Sequence, residues 1–85
     1  MPSRKLPVIS GEQLIKALQK LGYEVVRQRG SHVRVKKMTE IGVHSITVPN
    51  HPEIAKGTLN DILSRISERN RISKEELIKL LKGRR

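Results

Sequence analysis

The segment Arg27-Gln28-Arg29-Gly30-Ser31-His32-Val33-Arg34-Val35-Lys36-Lys37 reads as two short strands joined at a tight turn. Gly30-Ser31 suits a two-residue hairpin loop whose first central residue needs a positive φ. That turn fixes the register by arithmetic. Arg29 falls opposite His32, Gln28 opposite Val33, Arg27 opposite Arg34 and Val26 opposite Val35. Side chains alternate between the faces of a sheet. One face therefore carries Val26, Val33 and Val35. The other carries Arg27, Arg29, His32, Arg34 and Lys36. Like charges placed opposite one another are unfavourable. A hairpin that stacks cations around one histidine calls for an anion.

Outward from the hairpin, the pattern gives a helix on one side and a third strand and two helices on the other. Ser10 and Gln13 form a capping-box pair at the start of the first helix. Leu14, Ile15, Leu18 and Leu21 follow at helical spacing, and Gly22 ends the run. The strands cover about Tyr23–Arg29, His32–Met38 and Val43–Val48, with a turn at Thr39–Gly42. Pro49 closes the third strand. A second helix is expected over about Gly57–Ser67, with Leu59, Ile62, Leu63 and Ile66 on one face. Glu68–Ile72 reads as a polar connector. Ser73 and Glu76 repeat the capping box before a third helix through Leu77, Ile78 and Leu81. Met1–Pro7 reads as irregular and Gly83-Arg84-Arg85 as a frayed basic end.

The order is α-β-β-β-α-α, an α+β domain with a three-stranded antiparallel meander. The simplest packing lays the helices on the face holding Val26, Val33, Val35, Ile46 and Val48. The other face, with the cations, His32, Ser45 and Thr47, stays open.

Composition narrows the function classes. The 85 residues suit one domain, here 1–85, with a modest core. There are 18 Lys and Arg against 8 acidic residues, a formal net charge of +10. That excess points to a polyanionic partner. Tyr23 is the single aromatic residue, which argues against readers that stack bases on aromatic platforms. A protein gripping a nucleic-acid backbone through Arg, Lys and amides fits better. With no Cys, thiolate metal sites and disulfides are excluded. No apolar run approaches the ~20 residues that span a bilayer, and Met1–Pro7 lacks a secretory apolar stretch. The expected location is the cytoplasm, with no membrane and no small-molecule cofactor.

His32 is the candidate acid–base group. Histidine ordinarily changes charge near neutral pH. A neutral ring can take a proton from a ribose 2′-OH, and an imidazolium can return one to a leaving 5′-oxygen. Arg27, Arg29, Arg34 and Lys36 can neutralise charge on the phosphate between them, and Gly30 and Ser31 bring the turn to the same ligand. A solvated surface histidine is the bland alternative. His44 has core-face parity or marks a strand end. His51, in the loop after the third strand, is a candidate accessory group or a loop-ordering residue. The spacing of the three histidines matches no metal-ligand pattern, so no metal is expected. The last two helices carry a weak helix-turn-helix alternative, with a connector that looks long for it. Gly57-Thr58 resembles a phosphate-binding helix start, but no Gly-rich loop supports a nucleotide site.

Taken together, Arg29-Gly30-Ser31-His32, Thr47-Val48-Pro49-Asn50-His51 and Lys56-Gly57-Thr58-Leu59 with Ile62-Leu63 resemble the HicA (YcfA-like) toxin family. The resemblance covers about Ile9–Ser67 and leaves a C-terminal helix of about 73–82 outside it. It implies a fold similar to double-stranded-RNA-binding domains. It also implies ribosome-independent, metal-independent mRNA cleavage with His32 as the catalytic residue, and a HicB-type antitoxin as partner. The family's second histidine falls on His51. A non-catalytic RNA-binding module and an acidic-partner interaction protein are the alternatives.

Overall fold

The computed structural model describes residues 8–82. The expectations for Met1–Pro7 and Gly83–Arg85 lie outside those residues. The element order is α1 (Gly11–Lys20), β1 (Glu24–Arg29), β2 (His32–Thr39), β3 (Gly42–Pro49), α2 (Lys56–Asn70) and α3 (Lys74–Leu81). This is the α+β arrangement read from the sequence. The strands form one antiparallel sheet in the order β1-β2-β3.

Local chemistry sets the element ends. The Ser10 hydroxyl accepts from the Gln13 amide, and the Gln13 side chain accepts from the Ser10 amide, as the capping box predicts. At the far end of α1 the Tyr23 amide donates to the Leu18 carbonyl and the Gly22 amide to Gln19. That pair is a Schellman closure. α2 closes with the Ile72 and Arg71 amides both donating to the Ser67 carbonyl. Here a non-glycine residue, Arg71, takes the left-handed position at φ +53°. Ser73 caps α3 through the Glu76 amide.

Strand alternation puts Val33, Val35, His44, Ile46 and Val48 on the covered face, all buried. Leu14, Ala17 and Leu18 of α1 pack there, as do Leu59, Ile62, Leu63 and Ile66 of α2. Leu77 and Leu81 of α3 complete the same core. Each fully buried aliphatic side chain contributes about 1.5–3 kcal/mol, so this layer is what holds the sheet.

Three expectations need correction. Val26 does not oppose Val35. Val25 does, and the register slips between Val25 and Arg27. The extra residue is a β-bulge, and both Val25 and Val26 remain 43% exposed at the sheet edge. Val26 therefore leaves the core that alternation assigned to it. Second, α2 runs on to Asn70. Its polar end, Glu68-Arg69-Asn70, has no apolar stripe to mark it as helix. Third, the connector is consequently Arg71–Ser73, short rather than long. Length no longer argues against a helix-turn-helix. Burial does, because α2 and α3 spend their apolar faces on the shared core.

Candidate active site

The β1–β2 turn forms as the sequence requires. Arg29 pairs with His32, Gln28 with Val33 and Arg27 with Arg34. Gly30 has φ +58° while Ser31 stays on the negative side. A two-residue loop of that pattern fixes which side chains share a face. Because the bulge lies beyond Arg27, it does not disturb this end of the hairpin.

Arg27, Arg29, His32, Arg34 and Thr47 line one hollow of about 220 Å³ on the open face. Thr47 enters because β3 pairs Thr47 with Arg34. Among the described residues, no acidic side chain lines the hollow. Among the described residues, no side chain hydrogen-bonds the His32 ring, and Arg27, Arg29 and Arg34 form no ion pair. Three arginines thus line the hollow beside an exposed imidazole, with no counter-charge among the described residues. Guanidinium forks match phosphate and carboxylate oxygens bidentately, so the hollow has the chemistry of an anion site with a proton-transfer group in it.

Backbone ties hold the hollow's rim. His32 pairs with Pro49 across the sheet. The next residue, Asn50, donates its amide to the Ser31 carbonyl at 2.6 Å. The His51 carbonyl accepts from the Gly11 amide at 2.9 Å, and the Ile9 carbonyl accepts from Ile54 at 2.8 Å. A Cβ at Gly11 would collide with the Pro49 carbonyl and the Asn50 backbone. A glycine at the first position of α1 therefore lets the helix meet the end of β3. Nothing in local periodicity flags that contact.

The remaining candidates fall elsewhere. Gly30 and Ser31 form the exposed turn beside the hollow. Lys36 shares the open face but lines a separate hollow with Gly22, Glu24, Lys37, Met38 and Val43. His51 is exposed in the loop after β3 and does not line the His32 hollow. Beyond Lys36 the face turns apolar, with Met38, Ile41 and Val43 exposed.

His44 is the opposite of His32. It is buried on the covered face, with Nδ1 2.6 Å from the Tyr23 hydroxyl. Asn70 of α2 donates to that hydroxyl, and Lys37 Nζ donates to Asn70 Oδ1 at 2.6 Å. With Asn70 donating to Tyr23, the phenol proton is left to point at His44, which suits a neutral ring protonated on Nε2. Burial holds the His44 imidazole below its ordinary value, and Arg69 and Arg65 push the same way. Burial likewise raises the Tyr23 phenol, against a lowering by the Asn70 hydrogen bond and by Arg69. Among the described residues, no group of three or more His, Asp or Glu is arranged to hold a metal.

No curated protein and no solved structure matches the chain significantly. A family model does. The model described as the HicA toxin of bacterial toxin-antitoxin matches residues 11–67. The matched span runs from the glycine at the start of α1, through the whole sheet and the His32 hollow, into the last turns of α2. The chain therefore belongs to the HicA toxin family of toxin–antitoxin systems, whose members act opposite an antitoxin partner.

Proposed function

We propose that this protein is an endoribonuclease that cleaves mRNA without the ribosome and without a metal ion, with His32 as its acid–base group. The observation that carries the reading is an exposed imidazole inside a hollow lined by Arg27, Arg29 and Arg34 and by no carboxylate. Such a hollow draws in a phosphodiester and offsets charge as the phosphorus becomes five-coordinate. The neutral His32 ring takes the proton from the ribose 2′-OH. The 2′-oxygen attacks phosphorus, and the bond to the 5′-oxygen breaks. The protonated ring then returns its proton to that 5′-oxygen. The products are a 2′,3′-cyclic phosphate and a 5′-hydroxyl, with no net change at the histidine.

The other assignments follow the same logic. The turn residues Gly30 and Ser31 bring the hairpin tip to the RNA backbone. Lys36, one pair further along the face, adds to the long-range attraction. His51 is an RNA contact or a second proton-transfer group. The partner is a HicB-type antitoxin, and the toxin acts in the cytoplasm. Among the described residues, no helix is long and apolar enough to cross a membrane.

The test is cleavage of a long RNA by the purified protein in the presence of chelator, beside His32→Ala. The wild type yields fragments with cyclic-phosphate ends, and His32→Ala retains RNA affinity with cleavage lowered about 10²–10⁴-fold. Equal cleavage by the two proteins would remove His32 from the chemistry. Tight, salt-sensitive binding without fragments would instead establish a non-catalytic RNA-binding module.

A further inference from the structure

The His32 hollow adjoins another along β3. Arg34 and Thr47 line it and also line a second hollow of about 370 Å³, together with Ser45, Thr58, Asp61 and Arg65. Ser45 and Arg65 in turn line a third hollow, which continues to Glu68 and Arg69 of α2. The three hollows form a track from the hairpin tip, past β3, and along α2. The hollow at Lys36 shares no lining residue with the His32 hollow, and its far side is the apolar pair Met38 and Val43. A chain leaving His32 past β3 stays on residues that the adjoining hollows share, whereas the way toward Met38 and Val43 passes Lys36, Lys37 and Glu24 in a hollow with no lining residue in common with the His32 hollow.

We propose that the RNA leaves the His32 hollow past β3 and onto α2, where Arg65 and Arg69 hold phosphates of nucleotides next to the cleaved one. This inference rests on the endoribonuclease reading and extends it from one phosphate to a substrate path. Among the described residues β3 is an edge strand, and none of their strands blocks the way. Ser45, Thr47 and Thr58 supply hydroxyls suited to phosphate oxygens or a 2′-OH. Asp61 lies on the track and accepts from Arg65 Nε at 3.2 Å. A carboxylate bound at Nε leaves the two terminal guanidinium nitrogens for a phosphate. The bound carboxylate also weakens the local positive field. Asp61 and Glu68 temper the charge along α2, while the His32 hollow carries three arginines and no carboxylate among the described residues, which suits a site that grips hardest where the reaction occurs.

The sign of the Asp61 effect separates this path from a plain surface ion pair. Glu12 and Lys16 on α1 form a matched control, an exposed i,i+4 pair like Asp61 and Arg65. The experiment measures KM and kcat for wild type, Arg65→Ala, Arg69→Ala, Asp61→Asn and Lys16→Ala. Substrates are single-stranded RNAs extended stepwise on either side of one cleaved bond. Arg65→Ala raises KM about fivefold on the extended RNAs. It leaves kcat and the shortest cleaved RNA unchanged, and its binding salt slope is shallower by about 0.7 per lost phosphate contact. Arg69→Ala does the same with longer extensions. Asp61→Asn lowers KM, and Lys16→Ala changes nothing. If Arg65→Ala and Lys16→Ala behave alike at every length while the wild type cleaves, the track is wrong and the endoribonuclease reading stands. If Arg65→Ala loses affinity for the antitoxin and not for RNA, this side of α2 is a protein interface and the track is again wrong. A wild type that neither binds nor cleaves RNA overturns both.

Discussion

Two histidines sit on neighbouring strands of one sheet and face opposite ways. His32, at the start of β2, points to the open face among arginines. His44, on β3, points into the core and is hydrogen-bonded to Tyr23. Residue type is the same in both, so the difference comes from parity along the strand and from what each face packs against. The open face holds charge that lacks a partner within the described chain. The covered face tolerates a polar ring only because Tyr23, Asn70 and Lys37 hydrogen-bond in sequence behind it. Buried polar groups persist where such chains are complete. The comparison separates reactivity from architecture, and substitutions can test that separation.

The largest effect belongs to the open face and leaves the fold intact. His32→Ala loses RNA cleavage by orders of magnitude, while thermal unfolding shifts by no more than ordinary surface substitutions do, about 0.5 kcal/mol. The covered face gives the reverse. Val35→Ala removes a fully buried side chain and costs about 2 kcal/mol in denaturant unfolding. Its neighbour Arg34→Ala weakens RNA binding with little change in stability. A Val35 variant that kept stability, or an Arg34 variant that lost it, would break the division of faces.

Next comes the Tyr23–His44–Asn70 chain. Tyr23→Phe leaves the buried His44 Nδ1 without its donor and costs about 1–2 kcal/mol, with cleavage per folded molecule unchanged. The same chain carries a pH signature. Well above pH 6.5, His44 is neutral in folded and unfolded protein alike. Below that value the unfolded chain takes up a proton that the folded ring resists, because burial lowers its affinity for one. Stability therefore falls as pH drops from 6.5 toward the lowered folded value. His44→Asn, whose carboxamide can still accept from Tyr23, flattens that fall between pH 7.5 and 5.5 in unfolding curves. An unchanged slope would remove His44 as its source.

The smallest effect lies at the end of α2, one residue past Asn70. Arg71 ends α2 at φ +53°, a backbone state that disfavours a Cβ. Arg71→Gly relieves that strain and raises stability by about 0.5–1 kcal/mol, read as a rise in Tm, with RNA cleavage unaltered.

Most of this architecture is legible where local rules act alone. The capping box at Ser10 and the Ser73 cap, which forms through the Glu76 amide alone, mark helix starts, and alternation in β2 and β3 separates the faces. Gly30-Ser31 fixes the pairing of Arg27, Arg29, His32 and Arg34, so the core of the candidate site follows from one turn. The bulge at Val26 escapes, because an edge strand with little packed against it leaves no hydrophobic signal to count. The end of α2 escapes because Glu68-Arg69-Asn70 serves polar contacts, including the Asn70 amide to Tyr23, 47 residues away in sequence. The closeness of Gly11 to Pro49 and the continuity of Arg34 with Arg65 are likewise products of tertiary packing. Local pattern can name the residues of a hairpin but not the distant helix that completes its surroundings.

The rim of the His32 hollow is tied by main-chain groups, Ser31 to Asn50 and Gly11 to His51. Nearly every side chain there can change without touching those ties. Single replacements among the exposed residues can therefore retune what the hollow grips while the frame stays still. The exceptions are Gly30, whose φ of +58° disfavours a Cβ, and Gly11, where any added side-chain atom meets backbone. Variation in this chain is thus free to explore new substrates along the surface, on condition that two positions without a side chain, one in a turn and one at the base of a helix, never drift.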